Sequence, residues 1–172
     1  MLGKIFETKN LILKTANLEA CLSAHNNIFV YEECAKYMLW RVSKTTEETK
    51  LKIENWLTTF KDGLTYFIFE KGTNEVVGFL FAYKINDSTL GEIGLCIGKN
   101  YLGKGYGFEV MNSVILELKT VGISKIIYSC FVENEASNKL AKKLGFKFDC
   151  VKDRFVNKYD KTVKENYYIL DI

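Results

Sequence analysis

The chain contains no proline, a single histidine (His25) and only two arginines, Arg41 and Arg154. So few guanidinium groups leave little to read base edges with. A formal net charge of +3 adds no electrostatic case for nucleic acid. No apolar run approaches the roughly 20 residues of a membrane helix, and the first residues lack the charged-then-apolar layout of a secretory leader. Neither a membrane nor export is expected, and the location implied is cytoplasmic. The five cysteines, Cys21, Cys34, Cys96, Cys130 and Cys150, are dispersed without paired spacing. That argues against a zinc cluster or a disulfide framework and for free, mostly buried thiols in a reducing compartment. His25 has no matching partner nearby and reads as a surface or helix-face residue. The lack of proline, with abundant asparagine and isoleucine, fits the coding bias of an AT-rich bacterial genome and bears little on function.

What is present is a large apolar fraction, 48% of 172 residues, enough for one compact domain over 1–172 with a sizeable core. Lys9 to Lys14 alternates around Leu11 and Leu13 as a first strand. Asn17 is placed to cap a short helix over 18–26. Thr45 or Thr46 can cap a second, with Glu47 and Glu48 at its positive end and Ile53, Trp56, Leu57 and Phe60 at helical spacing. Gly63 reads as its stop. Strands follow at Tyr66–Lys71, Val76–Ile85 and Glu92–Ile97, joined by turn-forming Gly72-Thr73-Asn74 and Asn86-Asp87-Ser88. Lys125–Phe131 is a further strand, Glu135–Leu144 a short helix ending at Gly145, and Phe146–Val151 and Val163–Leu170 a final strand pair. The order predicts an α/β (α+β) fold with a mixed, mostly antiparallel sheet of about seven strands and about four helices.

The stretch from Glu92 to Leu118 carries the most chemistry. An apolar strand (Ile93, Leu95, Ile97) meets Gly103-Lys104-Gly105-Tyr106-Gly107, which opens into a helix with Met111, Val114, Ile115 and Leu118 on one face. Strand, glycine turn and helix N-terminus together suit a phosphate, because the first helical N–H groups lack internal partners and glycine lets backbone approach the anion. The spacing is neither that of a P-loop nor that of the dinucleotide fingerprint.

This loop resembles the acetyl-coenzyme A loop of the GNAT superfamily of N-acetyltransferases, Gln/Arg-x-x-Gly-x-Gly/Ala. Here Leu102 stands in the leading position, with Gly105 and Gly107 as the glycines. Thr8–Lys14, Tyr37-Met38-Leu39-Trp40 followed by Glu47-Glu48-Thr49, and Asn134-Glu135-Ala136-Ser137-Asn138 followed by Leu144-Gly145-Phe146 are similar to the RimJ/RimL branch of ribosomal-protein N-acetyltransferases. The element order also coincides with the GNAT order, so the resemblance spans nearly the whole chain.

The resemblance implies the GNAT fold, acetyl-CoA as cosubstrate without a metal, and transfer to a primary amine, either a protein N-terminus or a small amine, by direct attack in a ternary complex. It places the cofactor on Leu95, Cys96, Ile97, Leu102, Gly103, Lys104, Gly105, Tyr106, Gly107, Asn134 and Ser137. Glu92 is the candidate general base. Ser137 is the candidate acid, since Ala141 stands where many members place a tyrosine. Tyr37, Trp40 and Arg41, with Tyr31, Glu32 and Glu33 nearby, are the candidate acceptor residues. A non-catalytic coenzyme A-binding module and an enzyme using another acyl group stay open, as do monomer and homodimer.

Overall fold

The computed structural model describes residues 5–172, apart from the side chains of Phe6 and Glu92. Its elements run β1 (Phe6–Glu7), β2 (Leu11–Thr15), α1 (Cys21–Ala24), α2 (Glu32–Ala35), α3 (Thr46–Thr59), β3 (Leu64–Glu70), β4 (Val76–Asn86), β5 (Thr89–Ile97), α4 (Tyr106–Thr120), β6 (Lys125–Phe131), α5 (Glu135–Lys143), β7 (Lys147–Val156) and β8 (Lys161–Asp171). The eight strands form one sheet in the order β1-β2-β3-β4-β5-β6-β8-β7. Only β5 and β6 are parallel. This is the GNAT arrangement expected from the sequence, with one more strand and one more helix than anticipated.

Local chemistry accounts for the helix starts. Asn17 Oδ1 accepts the Ala20 N–H at 3.1 Å, and α1 then runs on through a π-helical turn over His25–Phe29. Thr45 caps α3 by accepting from Glu48 N–H, while the Glu48 carboxylate accepts from Lys44 N–H at 2.8 Å. His25 is buried rather than at the surface, its Nδ1 2.8 Å from Thr49 Oγ1, which ties α1 to α3. Helix α3 ends at Thr59, four residues before Gly63. That glycine serves another purpose: a Cβ there would lie 1.9 Å from the Ala82 carbonyl oxygen. Gly63 lets the α3–β3 connection press against β4.

Both faces of the sheet are covered. Along β3, Tyr66 and Ile68 join the cluster under α4 and α5, while Phe67 and Phe69 join the cluster under α1 and α3. The period-two alternation of a strand thus feeds two cores. Helix α4 buries Met111, Val114, Ile115 and Leu118, the stripe anticipated from spacing, together with Tyr106 and Val110. The thiols of Cys21, Cys34, Cys96 and Cys130 are buried and that of Cys150 half-buried, all free. Among the described residues no helix is long and apolar enough to cross a membrane.

The final strand pair departs from two simple crossovers. β6 and β7 are joined through α5, yet β8 lies between them, antiparallel to both. Asn138 of α5 holds that insertion. Its Oδ1 accepts from Tyr168 Oη at 2.6 Å and Asn166 Nδ2 at 2.7 Å, while its Nδ2 donates to the Phe131, Val132 and Asn134 carbonyls.

Gly63→Ala is expected to destabilise the protein by about 3 kcal/mol, the upper range for overpacking against backbone that cannot yield. Gly107→Ala, whose Cβ meets Leu95 at an ordinary 3.6 Å, is expected to be neutral or slightly stabilising. Urea unfolding of the two variants side by side measures the difference.

Candidate active site

The site begins where two strands part. β5 and β6 pair only at Thr89–Lys125 and Leu90–Ile126. Beyond that point β6 follows β8 to Phe131, while β5 stays on β4 as far as Ile97 opposite Gly78. A bulge accompanies the divergence. Phe81 opposes Gly94 and Tyr83 opposes Gly91, so Glu92 and Ile93 together face Ala82. Such an insertion bends and twists a strand away from its old neighbour. The edge of residues 91–97 that faces β6 is therefore left without a strand partner inside a sheet, where backbone polar groups need one.

At the end of β5 the chain makes a 3-10 turn at Lys99–Tyr101 and enters α4 through 102–105. Gly103 and Gly105 have φ of +79° and +78°. Nothing lies within 4 Å of where their Cβ atoms would be, so conformation rather than space demands glycine. Among the described residues none of the six backbone N–H groups from Gly103 to Phe108 has an acceptor, and no side chain caps α4. Six free amides at the positive end of a 15-residue helix are fitted to a phosphate-bearing group.

The surrounding charges are already committed. Lys104 Nζ pairs with Glu70 Oε1 at 2.9 Å, and Tyr106 Oη donates to the same oxygen at 2.6 Å. These hydrogen bonds hold the Glu70 carboxyl below its ordinary range and raise Lys104. Glu109, in the first turn of α4, accepts from Thr8 Oγ1 at 2.5 Å, Asn10 N at 2.7 Å and Asn10 Nδ2 at 2.8 Å. Burial alone would raise its pKa, but those three bonds outweigh it and the net shift is downward.

The predicted cofactor residues fall on this path in different ways. Leu95 and Ile97 lie beside Gly107 under α4. The Cys96 side chain points to the other layer, its Sγ 3.9 Å from the Cys34 carbonyl oxygen. It has only backbone to offer. Leu102 is exposed, and it too contributes main chain alone. Asn134 caps α5, its Oδ1 accepting from Ser137 N–H at 3.2 Å. Ser137 Oγ is 2.6 Å from Tyr128 Oη. Burial pushes the Tyr128 phenol well above its ordinary pKa, with the Ser137 hydrogen bond pulling the other way. Glu92 lies in the β5 bulge at the parting of the strands, and its side chain is outside the described structure.

Between the parted strands and α3 lies a cleft of about 320 Å³. Its floor includes Leu95, Ser129, Asn134 and Ser137, so the candidate acid and the unpaired strand edge open into one space. Tyr37 and Trp40 line its other end. Tyr37 sets its ring edge-on to Phe131 at 6.2 Å, and Trp40 packs at 5.1 Å from Phe29. Arg41 does not join them. Its guanidinium donates to the Lys158 carbonyl at 3.0 Å, on the turn between β7 and β8. Tyr31, Glu32 and Glu33 also lie off the lining, Glu33 being paired with Lys99.

Several lining residues have no counterpart in the sequence reading. Tyr128 is one, although the alternation Ile126, Tyr128, Cys130 along β6 marks its buried face. Phe81 and Tyr83 on β4 are another, continuing the aromatic stripe that the buried Phe79 begins on the same face of the strand. Arg154 and Glu165, joined at 2.7 Å, come from β7 and β8, and no local pattern pairs them. The Cys130 thiol also reaches the cleft, and burial pushes it up to about 11. At neutral pH only about one molecule in 10⁴ would carry the thiolate, so it is a poor nucleophile. Among the described residues no group of three or more potential metal ligands is assembled.

The topology sets a helix N-terminus with free amides against a parted pair of parallel strands, a scaffold suited to an extended, phosphate-bearing ligand. The family model for the acetyltransferase (GNAT) domain matches residues 10–147, and the chain belongs to the GNAT acetyltransferase family. The uncharacterized N-acetyltransferase YoaA of Bacillus subtilis (strain 168) is 25% identical over 171 residues, covering 95% of this chain and 94% of its own. Among solved structures, the ribosomal L7/L12 alpha-N-protein acetyltransferase RimL, in complex with coenzyme A, superposes with a TM-score of 0.83 at 20% identity, covering 98% of each chain. The microcin C7 self-immunity acetyltransferase MccE, in complex with acetyl-CoA and AMP, gives 0.81 at 23% identity, covering 95% of this chain and 93% of its own.

The Glu109 contacts generate a pH prediction. A carboxyl held below its ordinary value of 4.5 in the folded state contributes stability that is present above that value and lost as pH falls through the folded pKa. The stability advantage of the native protein over Glu109→Gln is therefore expected to be constant near neutrality and to shrink as pH falls below about 4.5. Urea unfolding of both proteins at pH 7, 5, 4 and 3 measures it, and an advantage that grew on acidification would contradict the assignment.

Proposed function

We propose that the protein transfers an acetyl group from acetyl-CoA to a primary amine by direct attack in a ternary complex. One observation carries this reading. Leu95, 3.6 Å from where a Cβ on Gly107 of the cradle would lie and also in the cleft lining with Ser137, links the free amides of 103–108 to the cleft along the unpaired edge of β5, which supports one ligand reaching from one to the other. When bound, acetyl-CoA supplies an activated acyl carbon and a thiolate leaving group.

The chain's own residues divide the remaining work. The loop amides hold the pyrophosphate, and Leu95–Ile97 offers backbone to the extended arm. Asn134 keeps its oxygen on the α5 cap, leaving its NH₂ for the arm. Glu92, at the bulge, takes the proton that the acceptor ammonium must lose before its lone pair can attack. As the carbon–sulfur bond breaks, Ser137 gives its hydroxyl proton to the sulfur, and the Tyr128–Ser137 pair is restored by the second proton, which the nitrogen loses as the amide forms. A phenol held high in pKa stays protonated across the working range, so Tyr128 serves as a standing hydrogen-bond partner that orients the Ser137 hydroxyl. RimL is an alpha-N-protein acetyltransferase, and the RimJ/RimL-like segments favour an acceptor of similar chemistry, an α-amino group or a small amine.

Calorimetric titration tests the cofactor half. Acetyl-CoA is expected to bind with a Kd on the order of micromolar, and NAD and ATP not to bind. Gly107→Trp should weaken acetyl-CoA at least roughly tenfold, since an indole set against Leu95, Ile97 and Leu140 would displace the first turn of α4 and its free amides, with circular dichroism checking that the fold is kept. Absence of acetyl-CoA binding would remove the reading. For the chemistry, Glu92→Gln is expected to lower kcat by about 10² and to abolish the acidic limb of the pH–rate profile. Ser137→Ala and Tyr128→Phe should each lower kcat by about tenfold or more, and the double variant by no more than the larger single effect, because the two act as one unit.

A further inference from the structure

The acceptor end of the cleft carries a distinctive pattern of rings and charge. One wall is a row of aromatics: Phe60 lies 4.5 Å from both Phe81 and Tyr83, and Trp56 lies 5.5 Å from Phe81. Tyr37 and Phe131, in edge contact, form the facing side. Gly94 makes room for the wall, since a Cβ there would lie 2.2 Å from the Phe81 ring. Among the described lining residues the only charged groups are Arg154 and Glu165, and they are paired with each other at 2.7 Å. That end of the cleft therefore presents an apolar surface of mutually tilted rings, and the charges of its described residues cancel.

Such a surface discriminates among amines. A polyamine or amino sugar would carry, beyond the one ammonium that Glu92 deprotonates, further ammonium groups into a space where Glu165 is already matched by Arg154. Desolvating those charges would go uncompensated. An aromatic body gains apolar burial and ring stacking against the same wall. Its single amino group gives up its positive charge before reaction in any case.

Resting on the acetyl-transfer reading above, we propose that the acceptor is an arylalkyl primary amine, one amino group on an aromatic body, bound against the Trp56–Phe60–Phe81–Tyr83 wall. The same chemistry can come from a free amine or from a peptide whose first residue is aromatic.

Both tryptophans of the chain, Trp40 and Trp56, line this cleft, so intrinsic fluorescence reports its occupancy independently of turnover. The intact protein, with desulfo-coenzyme A or acetyl-CoA present, is titrated with 2-phenylethylamine, phenylalanine amide, a Phe-first tripeptide, n-propylamine, spermidine and kanamycin. Thiol release is measured on the same set. The expected result is a saturable fluorescence change and a kcat/KM at least roughly tenfold higher for the arylalkyl amines than for n-propylamine, spermidine or kanamycin. The tripeptide against the free amines separates the two sources. Tyr83→Ala, at the exposed rim of the wall, should raise KM for 2-phenylethylamine several-fold with little change in kcat, and affect n-propylamine less.

Preference for spermidine or kanamycin, or arylalkyl amines no better than n-propylamine, overturns the proposal. Tight acetyl-CoA binding with no fluorescence response to any arylalkyl amine also overturns it while leaving the cofactor reading intact. A fluorescence response to arylalkyl amines without acetyl-CoA binding would instead uphold the cleft and sink the transferase reading.

Discussion

Everything at the site depends on β5 losing β6 after two residue pairs. A parallel neighbour that stayed in register would consume the N–H and C=O groups of 91–97, close the cleft and place the start of α4 over an ordinary sheet. The bulge at Glu92–Ile93 makes the parting local, because the strand remains paired with β4 on its other side as far as Ile97. Thus one inserted residue leaves a rigid strand with an unoccupied edge in the middle of an eight-stranded sheet. Such an edge suits an extended ligand that can hydrogen-bond like a strand while presenting its reactive end to a cleft.

The acceptor end is held by contacts between remote parts of the chain. Lys158 donates to the Ala35 and Trp40 carbonyls, Tyr159 to the Lys36 carbonyl, and Arg41 back to the Lys158 carbonyl. The β7–β8 turn is thereby fastened to the segment after α2. Burial lowers the Lys158 pKa, with Glu32 opposing, and the carbonyls compensate the desolvated ammonium. Arg41 therefore fastens the β7–β8 turn from outside the cleft lining, a contact 117 residues away that its place next to Trp40 in the sequence does not announce.

How much of this is legible in the chain follows from range. The stripe Met111, Val114, Ile115 and Leu118, the cap at Thr45 and the Asp87–Ser88 hairpin are local periodicity or local hydrogen bonding, and they appear where the pattern puts them. Asn17, by contrast, accepts from Ala20 in the turn before α1, which starts only at Cys21. β1 is only two residues long, too short for alternation to register. The π-helical turn at His25–Phe29 and the four-residue α2 are likewise below the length at which period separates from noise. The position of β8 between β6 and β7 is a long-range choice sealed by Asn138, whose role depends on partners 28 and 30 residues away. For the same reason the cradle could be read from one contiguous segment, whereas the Tyr128–Ser137 pair, the Arg154–Glu165 pair and the aromatic wall needed the fold to bring them together.

The glycines separate what the fold requires from what a ligand requires. At Gly63 and Gly78 an added Cβ would strike backbone oxygens at 1.9 and 2.6 Å, so these positions serve strand approach and would demand glycine in a protein with no ligand at all. At Gly103 and Gly105 space is open and only the left-handed backbone is at stake. At Gly107 neither argument applies: its contacts are ordinary, and helix propensity alone would favour alanine. A glycine in the first turn of a helix that the fold does not require, itself one of six consecutive amides without acceptors, is best accounted for by something that approaches the backbone from outside. The absence of a structural reason at Gly107 thus points to the anion cradle on grounds independent of the loop's resemblance to a family motif.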